Sequence, residues 1–396
     1  MLALGLMETL ALAALAIAIG QGLRRWVPVL AHYDLPAPVL GGLVIAIVVT
    51  VLRSNGADVV RFDTTLQSPL MIAFFTSIGF GASLRLLRIG GVQVAWFLAI
   101  ATVVALLQNL LGASLAVAMG LPPLFGVLAG SVTLTGGPAT GLAFAPLFEA
   151  AGVNGAGVLA VTAGMAGIVM GGLFGGPVAG RIIARRGLRP AIEPAKPAQI
   201  RTEEPEHAHV DTTTALMRAV ILVLAAMWLG SYLARGISAL GITLPAYIGA
   251  MLVAAVMRNL GDHQPLLRVP VQAMADLGAV ALSLFIAMAL MTLKLWELAS
   301  IAMPLIVLLV AQGIMLALLC HGVFRLMGRD FDAAVMAGGF YGFMMGTTAN
   351  AVANMQTLTE RYGPAPRAFL VVPLVGAFFI DFVNALVITG YLNFLR

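Results

Sequence analysis

The segment beginning at Leu35, LPAPVLGGLVIAI, returns at Leu244 as LPAYIGAMLVAAV, with Leu, Pro, Ala, Leu, Val and Ala in register 209 residues on. About one residue further out of register, Phe75 meets Phe285 and the Gly-rich stretch at Gly136 meets Gly346. A chain that carries one apolar unit twice is constrained to fold as two related bundles. If each unit crosses a bilayer an odd number of times, the copies point in opposite directions. Two such mirror-related halves can open a midplane site to either side, which is the architecture of secondary transporters. Transport therefore stands ahead of catalysis as the first hypothesis.

Composition decides the solvent. Hydrophobic residues make up 61% of the 396, charged residues 10%, and the mean hydropathy is +1.01. A soluble domain carries about 25% charged residues. Apolar runs of about 20 residues between short charged or Pro-bearing breaks are what helices crossing a hydrocarbon layer require. The chain reads as an all-α polytopic membrane protein.

Other classes fall away. The single Cys320 excludes a disulfide framework and a thiolate cluster, and His32, His207, His209, His263 and His321 show no metal-ligand spacing. His207 and His209 share the stretch EEPEHAHVD, which reads as a solvated linker. Arg24 and Arg25 follow the first apolar stretch and Glu8 lies where a basic region belongs, so the first helix is not a cleaved signal. The net charge of +5 reads as membrane orientation rather than a nucleic-acid surface.

Hydropathy predicts spans near 4–23, 37–52, 67–84, 92–119 and 156–180, then 219–234, 243–257, 274–293, 300–324 and 366–395. Between the fourth and fifth span of each half lies an extra Gly- and Thr-rich apolar stretch, 124–148 and 334–358, interrupted by GGPATG at Gly136 and GTTANA at Gly346. Each is too broken for one straight helix and too apolar for an ordinary loop. A re-entrant helical hairpin reconciles the two, with its broken tip buried in protein or facing a watery cavity. The expected organisation is a first inverted repeat over 1–186, a cytoplasmic linker over 187–214 and a second repeat over 215–396. Pro190, Pro194, Pro197 and Pro205 with mixed charges mark that linker as disordered.

The distribution of positive charge tests this topology. With the linker inside and each hairpin returning to its own side, 17 of the 22 Lys and Arg fall inside, among them Arg24, Arg85, Arg186, Arg258, Arg325 and Arg361. Five fall outside: Arg53, Arg61, Arg235, Lys294 and Arg396. Counting either hairpin as a full crossing loses that bias. Both termini are then outside, and the two hairpins enter from opposite sides so that their tips meet near the midplane. Helix ends there expose N–H and C=O groups for anions and cations. A zwitterionic or anionic solute travelling with a small cation suits such a site.

The candidate site residues follow. Asp381 in GAFFIDFVNALVI is the only acid well inside a predicted span, with Asn384 a turn later. An ionisable group at such depth costs about 3 kcal/mol on insertion scales and marks function, here to accept a substrate ammonium or join a cation site. The alternative is an acid tied to backbone N–H groups. Thr133, Thr135, Gly136, Gly137 and Thr140 form the first tip, and Thr347, Thr348, Asn350 and Asn354 the second. For the solute we assign Thr135, Gly136, Gly137, Thr140, Thr347, Thr348, Asn350 and Asp381. For a cation, whose oxygen preference is that of a hard ion, we assign Thr133, Gly136, Asn350, Asn354, Asp381 and Asn384. Small-residue helix packing explains the same composition one residue at a time. Gln108, Asn109 and Gln312 either line the path or bond between helices. Glu149 and the Asp330/Asp332 pair at the hairpin bases read as solvated, and the glycines of GIVMGGLFGGP as sites of close helix approach. No Lys or Arg is expected deep in the membrane unless Arg329 or Arg367 reaches inward.

Taken together, LPAPVLGGLV, FFTSIGFGASL, GSVTLTGG, LPAYIGAMLVAAVMRN, LSLFIAMALMTLKLWELA, MGRDFDAAVMAGG and VVPLVGAFFIDFVNALVI closely resemble the bacterial sodium/glutamate symporters. The resemblance covers nearly the whole chain apart from the linker. It implies Na⁺-driven uptake of L-glutamate across the bacterial inner membrane, with no cofactor beyond the coupling Na⁺. It also implies a homodimer whose hairpin-bearing transport domains move against a fixed scaffold, in the manner of elevator transporters. Two positions depart: the first tip reads GGPAT where the family pattern is GGxGT, and the second reads GTTANA where a GATxTA-like tip is expected. A related symporter for another amino acid or carboxylate, proton-coupled through Asp381, is the first alternative. A passive channel is a second, and a membrane enzyme the least favoured.

Overall fold

The computed structural model describes residues 3–32, 35–54, 60–89, 91–190, 212–239, 245–261 and 268–395. The middle of the linker, with His207 and His209, and likewise His263 and Leu244, lie outside the described residues. Seventeen α-helices account for nearly all of the remainder. The chain is an all-α, multi-pass membrane protein.

In the first half, α1 (Leu6–Trp26), a short α2 (Pro28–His32), α3 (Ala37–Ser54), α4 (Gln67–Gly81) and a short α5 (Leu84–Ile89) precede α6 (Gly91–Ala118). Then α7 (Pro123–Val127) runs into a wide π-type turn, Leu128–Val132, before α8 (Gly137–Ala150) and α9 (Ala156–Arg186). The second half has α10 (Thr212–Ser238), α11 (Ala246–Gly261), α12 (Val271–Met291) and α13 (Leu298–Leu326). It continues with α14 (Phe331–Met345), α15 (Thr348–Tyr362), α16 (Pro366–Phe378) and α17 (Ile380–Phe394). A two-residue parallel pairing joins β1 (Ala3–Leu4) to β2 (Arg61–Phe62).

Seven helices, α1, α3, α6, α9, α10, α12 and α13, are long and apolar enough to span a bilayer, and α16 with α17 makes an eighth as one bent span. The other two expected spans form shorter helices, α4 and α11, of 15 and 16 residues. Two expectations shift. The linker is shorter than expected at its end, because Thr212–Thr214 already belong to α10. The last span is two helices, broken at Phe379. Helices are the form that satisfies backbone polar groups without water, and so a break has to find partners elsewhere.

Small residues set the closest crossings. A Cβ on Gly20 or Gly41 would collide with the backbone at Ala37 or Ala16, so α1 and α3 touch main chain to main chain. Gly230 and Gly249 bring α10 and α11 together in the same way, at the corresponding place in the second half. Around these pairs, α1, α3, α4, α10, α11 and α12 pack as one group, and α6 through α9 with α13 through α17 as another. Contact between the groups is sparse and centres on α4, α11 and α12 against α8 and α17. At that seam Phe75 (α4), Tyr247 (α11) and Phe144 (α8) stack within 6.5 Å of one another. Apolar side chains such as Val103, Leu106 and Leu110 on α6, or Ile306, Val310 and Ile314 on α13, face outward at helical spacing, as lipid-facing stripes do.

Candidate functional site

Two helix interruptions face each other inside the second group. In the first, the π-type turn ends the run of α7 because Gly130 takes φ −101°, ψ −132°, a conformation glycine adopts without a Cβ penalty. The chain re-enters a helix at Gly137, which has φ +71°. In the second, Gly346 ends α14 and Thr347 starts α15, its hydroxyl accepting from the Asn350 N–H at 3.4 Å. Phe379 supplies a third break, between α16 and α17.

These breaks enclose a cavity of about 290 Å³ lined by Thr135, Gly136, Gly137, Phe343, Gly346, Thr347, Thr348, Ala349, Gly376, Ile380 and Asp381. Three helix N-termini reach its wall, those of α8 at Gly137, α15 at Thr348 and α17 at Ile380. Free N–H groups and the helix dipole there favour negative charge, by up to about 2 kcal/mol per terminus in partly buried geometry. Against them stands one carboxylate. Asp381 lies in the first turn of α17 rather than deep within a continuous span, a correction that follows from the break at Phe379. No hydrogen-bond donor among the described residues reaches its carboxylate. The cavity therefore offers places for anionic oxygens and one place for a cation. Its volume lies just below the range of drug-sized sites, about 300–1,000 Å³, which suits a solute of amino-acid size.

The structure brings together Thr135, Gly136, Gly137, Thr347, Thr348 and Asp381. It sets the other candidates behind the wall. Thr140 packs over Gly136. The Thr133 hydroxyl donates to Leu128 O at 2.8 Å. Asn350 donates to Ile168 O and Asn354 to Gly171 O, both on α9, the latter at 2.9 Å. Asn384 donates to Ser131 O at 2.9 Å. These amides hold breaks closed against neighbouring helices. Gln108, Asn109 and Gln312 do the same: Gln108 donates to Met344 O and accepts from Thr135, each at 2.8 Å, and Gln312 donates to Gln108 O at 2.7 Å. Asn109 accepts from Ser131 N–H at 2.9 Å. Between lining a path and bonding between helices, these three do the second.

Of the glycines in GIVMGGLFGGP, Gly167, Gly171 and Gly175 sit at close helix approaches, whereas Gly176 has room for a Cβ. A Cβ on Gly167 or Gly171 would press on the Met345 or Gly342 carbonyl, and one on Gly175 would collide with the Asn354 amide. At the base of the second break, Asp330 caps α14 through Ala333 N–H at 2.8 Å and pairs with Arg367. Asp332 accepts from Arg367 N–H at 2.9 Å and Ala368 N–H at 3.2 Å, the first turn of α16. Both acids are structural caps, and Arg367 faces Asp330 rather than the cavity. Glu149 is exposed. The cavity walls Phe343, Gly376 and Ile380 carried no signal in the sequence. Ser131 had one, since it opens the same Ser/Thr-rich run as Thr133 and Thr135.

The sodium/glutamate symporter family model matches residues 2–364. The chain belongs to that family. It is 42% identical to the sodium/glutamate symporter of Escherichia coli (strain K12) over 388 residues, 98% of this chain and 97% of that protein. It is 38% identical to the sodium/glutamate symporter of Haemophilus influenzae over 382 residues, 96% and 95% of the two chains. Its relatives are thus named as symporters, not enzymes. The family match ends before α16, so the helices that bear Asp381 enter through the nearly full-length relatives.

Proposed function

We propose that this chain is a secondary active symporter that imports L-glutamate with Na⁺ as its coupling ion, in the bacterial inner membrane. The observation that carries the reading is the cavity where three helix N-termini face one carboxylate. Two carboxylates and one ammonium are the charges of glutamate, and they complement that wall: helix N-termini at Gly137 and Thr348 for the anionic ends, Asp381 for the ammonium. The names of its relatives supply the solute and the ion. The GGPAT and GTTANA tips line the same space, so any shift of selectivity from those relatives would originate there.

The mechanism we infer is an elevator built on two inverted repeats, each with a re-entrant hairpin. Three facts support it. Asp332, near the start of α14, bonds the first turn of α16 just beyond the end of α15, as a hairpin returning to its own side requires. Contacts at helix ends join residues expected on one side of the membrane: Arg53 stacks on Trp296 at 4.0 Å, and Arg186 on Phe324 at 5.0 Å. The helix group around α1, α3 and α10–α12 meets the cavity-bearing group over a sparse seam, which sliding demands. A homodimer held through that first group, with both termini periplasmic and the linker cytoplasmic, completes the reading.

Reconstitution tests it. Glutamate uptake into proteoliposomes is expected to require an inward Na⁺ gradient and to concentrate the solute. Uptake that persists without Na⁺, or follows a proton gradient alone, would overturn the coupling and favour the proton-driven alternative. Downhill flux that never concentrates glutamate would favour a channel. For the inverted arrangement, single cysteines near Thr135 are expected to label from outside and those near Thr348 from inside. Labelling of both from one face would contradict it.

A further inference from the structure

A hydroxyl carries one proton and two lone pairs, so whatever takes the proton decides what the oxygen can still do. Thr135 and Thr347 line the cavity from opposite breaks, and each gives its proton to a side-chain amide behind the wall. Neither amide is free to turn round. Gln108 Nε2 donates to the Met344 carbonyl at 2.8 Å, which leaves Gln108 Oε1 to accept from the Thr135 hydroxyl, also at 2.8 Å. Turning Gln108 over would set its oxygen against the Met344 oxygen. The Met344 sulfur, 3.8 Å from the same hydroxyl, is the weaker acceptor. At the second break Asn350 Nδ2 donates to the Ile168 carbonyl, so Asn350 Oδ1 accepts from the Thr347 hydroxyl at 3.1 Å. The Thr347 oxygen accepts in turn from the Asn350 N–H at 3.4 Å, which still leaves it a lone pair. Gln108 and Asn350 are both buried, so bulk water does not take over either bond.

We propose that Thr135 and Thr347 hold the solute's ammonium beside Asp381, and that Gln108 and Asn350 are positioning residues that withhold the two hydroxyl protons. Both threonines then meet the solute as acceptors. With the Asp381 carboxylate they make three oxygens on one cavity, one from each of the three helix breaks. An –NH₃⁺ group brings three donors and no acceptor, so the two sets match one for one. A carboxylate only accepts, and finds no proton at Thr135 or Thr347. Its places are the helix N-termini. The wall is thus sorted by polarity before any solute enters. A site built to receive N–H bonds rejects an analogue that lacks them, because its own groups are then left unpaired. The solute class it selects is a dicarboxylate bearing an amino group, against the same diacid without one.

This inference rests on the glutamate-symport reading, and the test separates the two. Full-length protein in proteoliposomes is assayed for Na⁺-driven L-glutamate uptake, with glutarate, the diacid without the amino group, as competitor. The readout is the ratio of the glutarate inhibition constant to the glutamate KM. Thr135→Val keeps the shape of the side chain and removes its lone pairs. It is expected to raise the glutamate KM by about tenfold or more, the worth of one hydrogen bond to a charged group. Glutarate inhibition is expected to stay as it was, so the ratio falls by the same factor. Thr135→Ser, which returns the hydroxyl, is expected to recover most of that loss. Gln108→Leu releases the Thr135 proton toward the cavity and is expected to lower the ratio although Gln108 touches no solute. If variants at the first break do not fold, Thr347→Val, at a half-buried position, carries the same expectation from the second. Folded variants in which both constants worsen alike would make the hydroxyls structural and leave glutamate symport standing. A raised Na⁺ requirement at an unchanged ratio would give these oxygens to the ion and equally overturn the proposal. A wild type that does not concentrate glutamate on a Na⁺ gradient would remove the reading beneath it.

Discussion

The two breaks that flank the cavity solve one problem in different ways. Every interrupted helix in a membrane must find new partners for its freed N–H and C=O groups. The second break does so in part with its own sequence, while Gln108 on α6 takes the Met344 carbonyl at the end of α14. Thr347 caps α15, its hydroxyl accepting from the N–H three residues on. At the first break neither Pro122 nor Gly136 makes a side-chain cap, and the local side-chain bond is Thr133 to Leu128 O. That break borrows the rest, from Gln108 and Asn109 on α6 and Asn384 on α17. A locally capped tip can form as soon as its helices do. A borrowed one exists only once three helices have assembled, and its geometry responds to all of them.

Three experiments press on that contrast. The largest effect is expected where both tips converge. Asp381→Asn keeps the shape of the cavity and removes its one carboxylate, and Na⁺-driven uptake is expected to fall by about 100-fold or more with the elution profile unchanged, given what a lost buried charge partner is worth. Wild-type uptake in that variant would make Asp381 structural. Next, Asn109→Ala is expected to cost about 1–3 kcal/mol, because it strands the Ser131 N–H in a buried place. Thr347→Ala is expected to cost about 1 kcal/mol, the usual value of a lost cap. Equal losses in denaturant unfolding would erase the distinction between borrowed and local satisfaction. The smallest effect on transport concerns Gly137, where a Cβ would meet nothing within 4 Å. Gly137→Ala therefore introduces backbone strain without collision, about 1–2 kcal/mol for a left-handed residue, and is expected to raise the KM for glutamate modestly. An unchanged KM would mean that the α8 N-terminus does not touch solute.

The amphipathic record in the chain was enough to locate nearly every helix. The observed α1, α3, α6 and α9 begin and end within a few residues of the runs that hydropathy marks, because a bilayer imposes both length and composition on anything that crosses it. The tips were legible for a related reason: Gly, Thr and Asn clustered inside apolar stretches are tolerated only where the helix stops. The break at Phe379 was not legible. GAFFIDFV is an unbroken apolar run with a single acid, and nothing local in it stops a helix.

What no local pattern contains is the list of partners. Gln108, Asn109, Asn350, Asn354 and Asn384 all announced themselves as polar groups in a membrane, and their types set how many hydrogen bonds each could make. Their choice of carbonyl was open, since Asn384 lies 253 residues from Ser131 and Gln108 lies 236 from Met344. Periodicity and composition act over one turn or one bilayer thickness, so they dictate that the chain spans, where it falters and which side chains need satisfying. Packing acts between helices remote in the chain. Packing alone chose which needs are met and set Asp381 opposite the two tips.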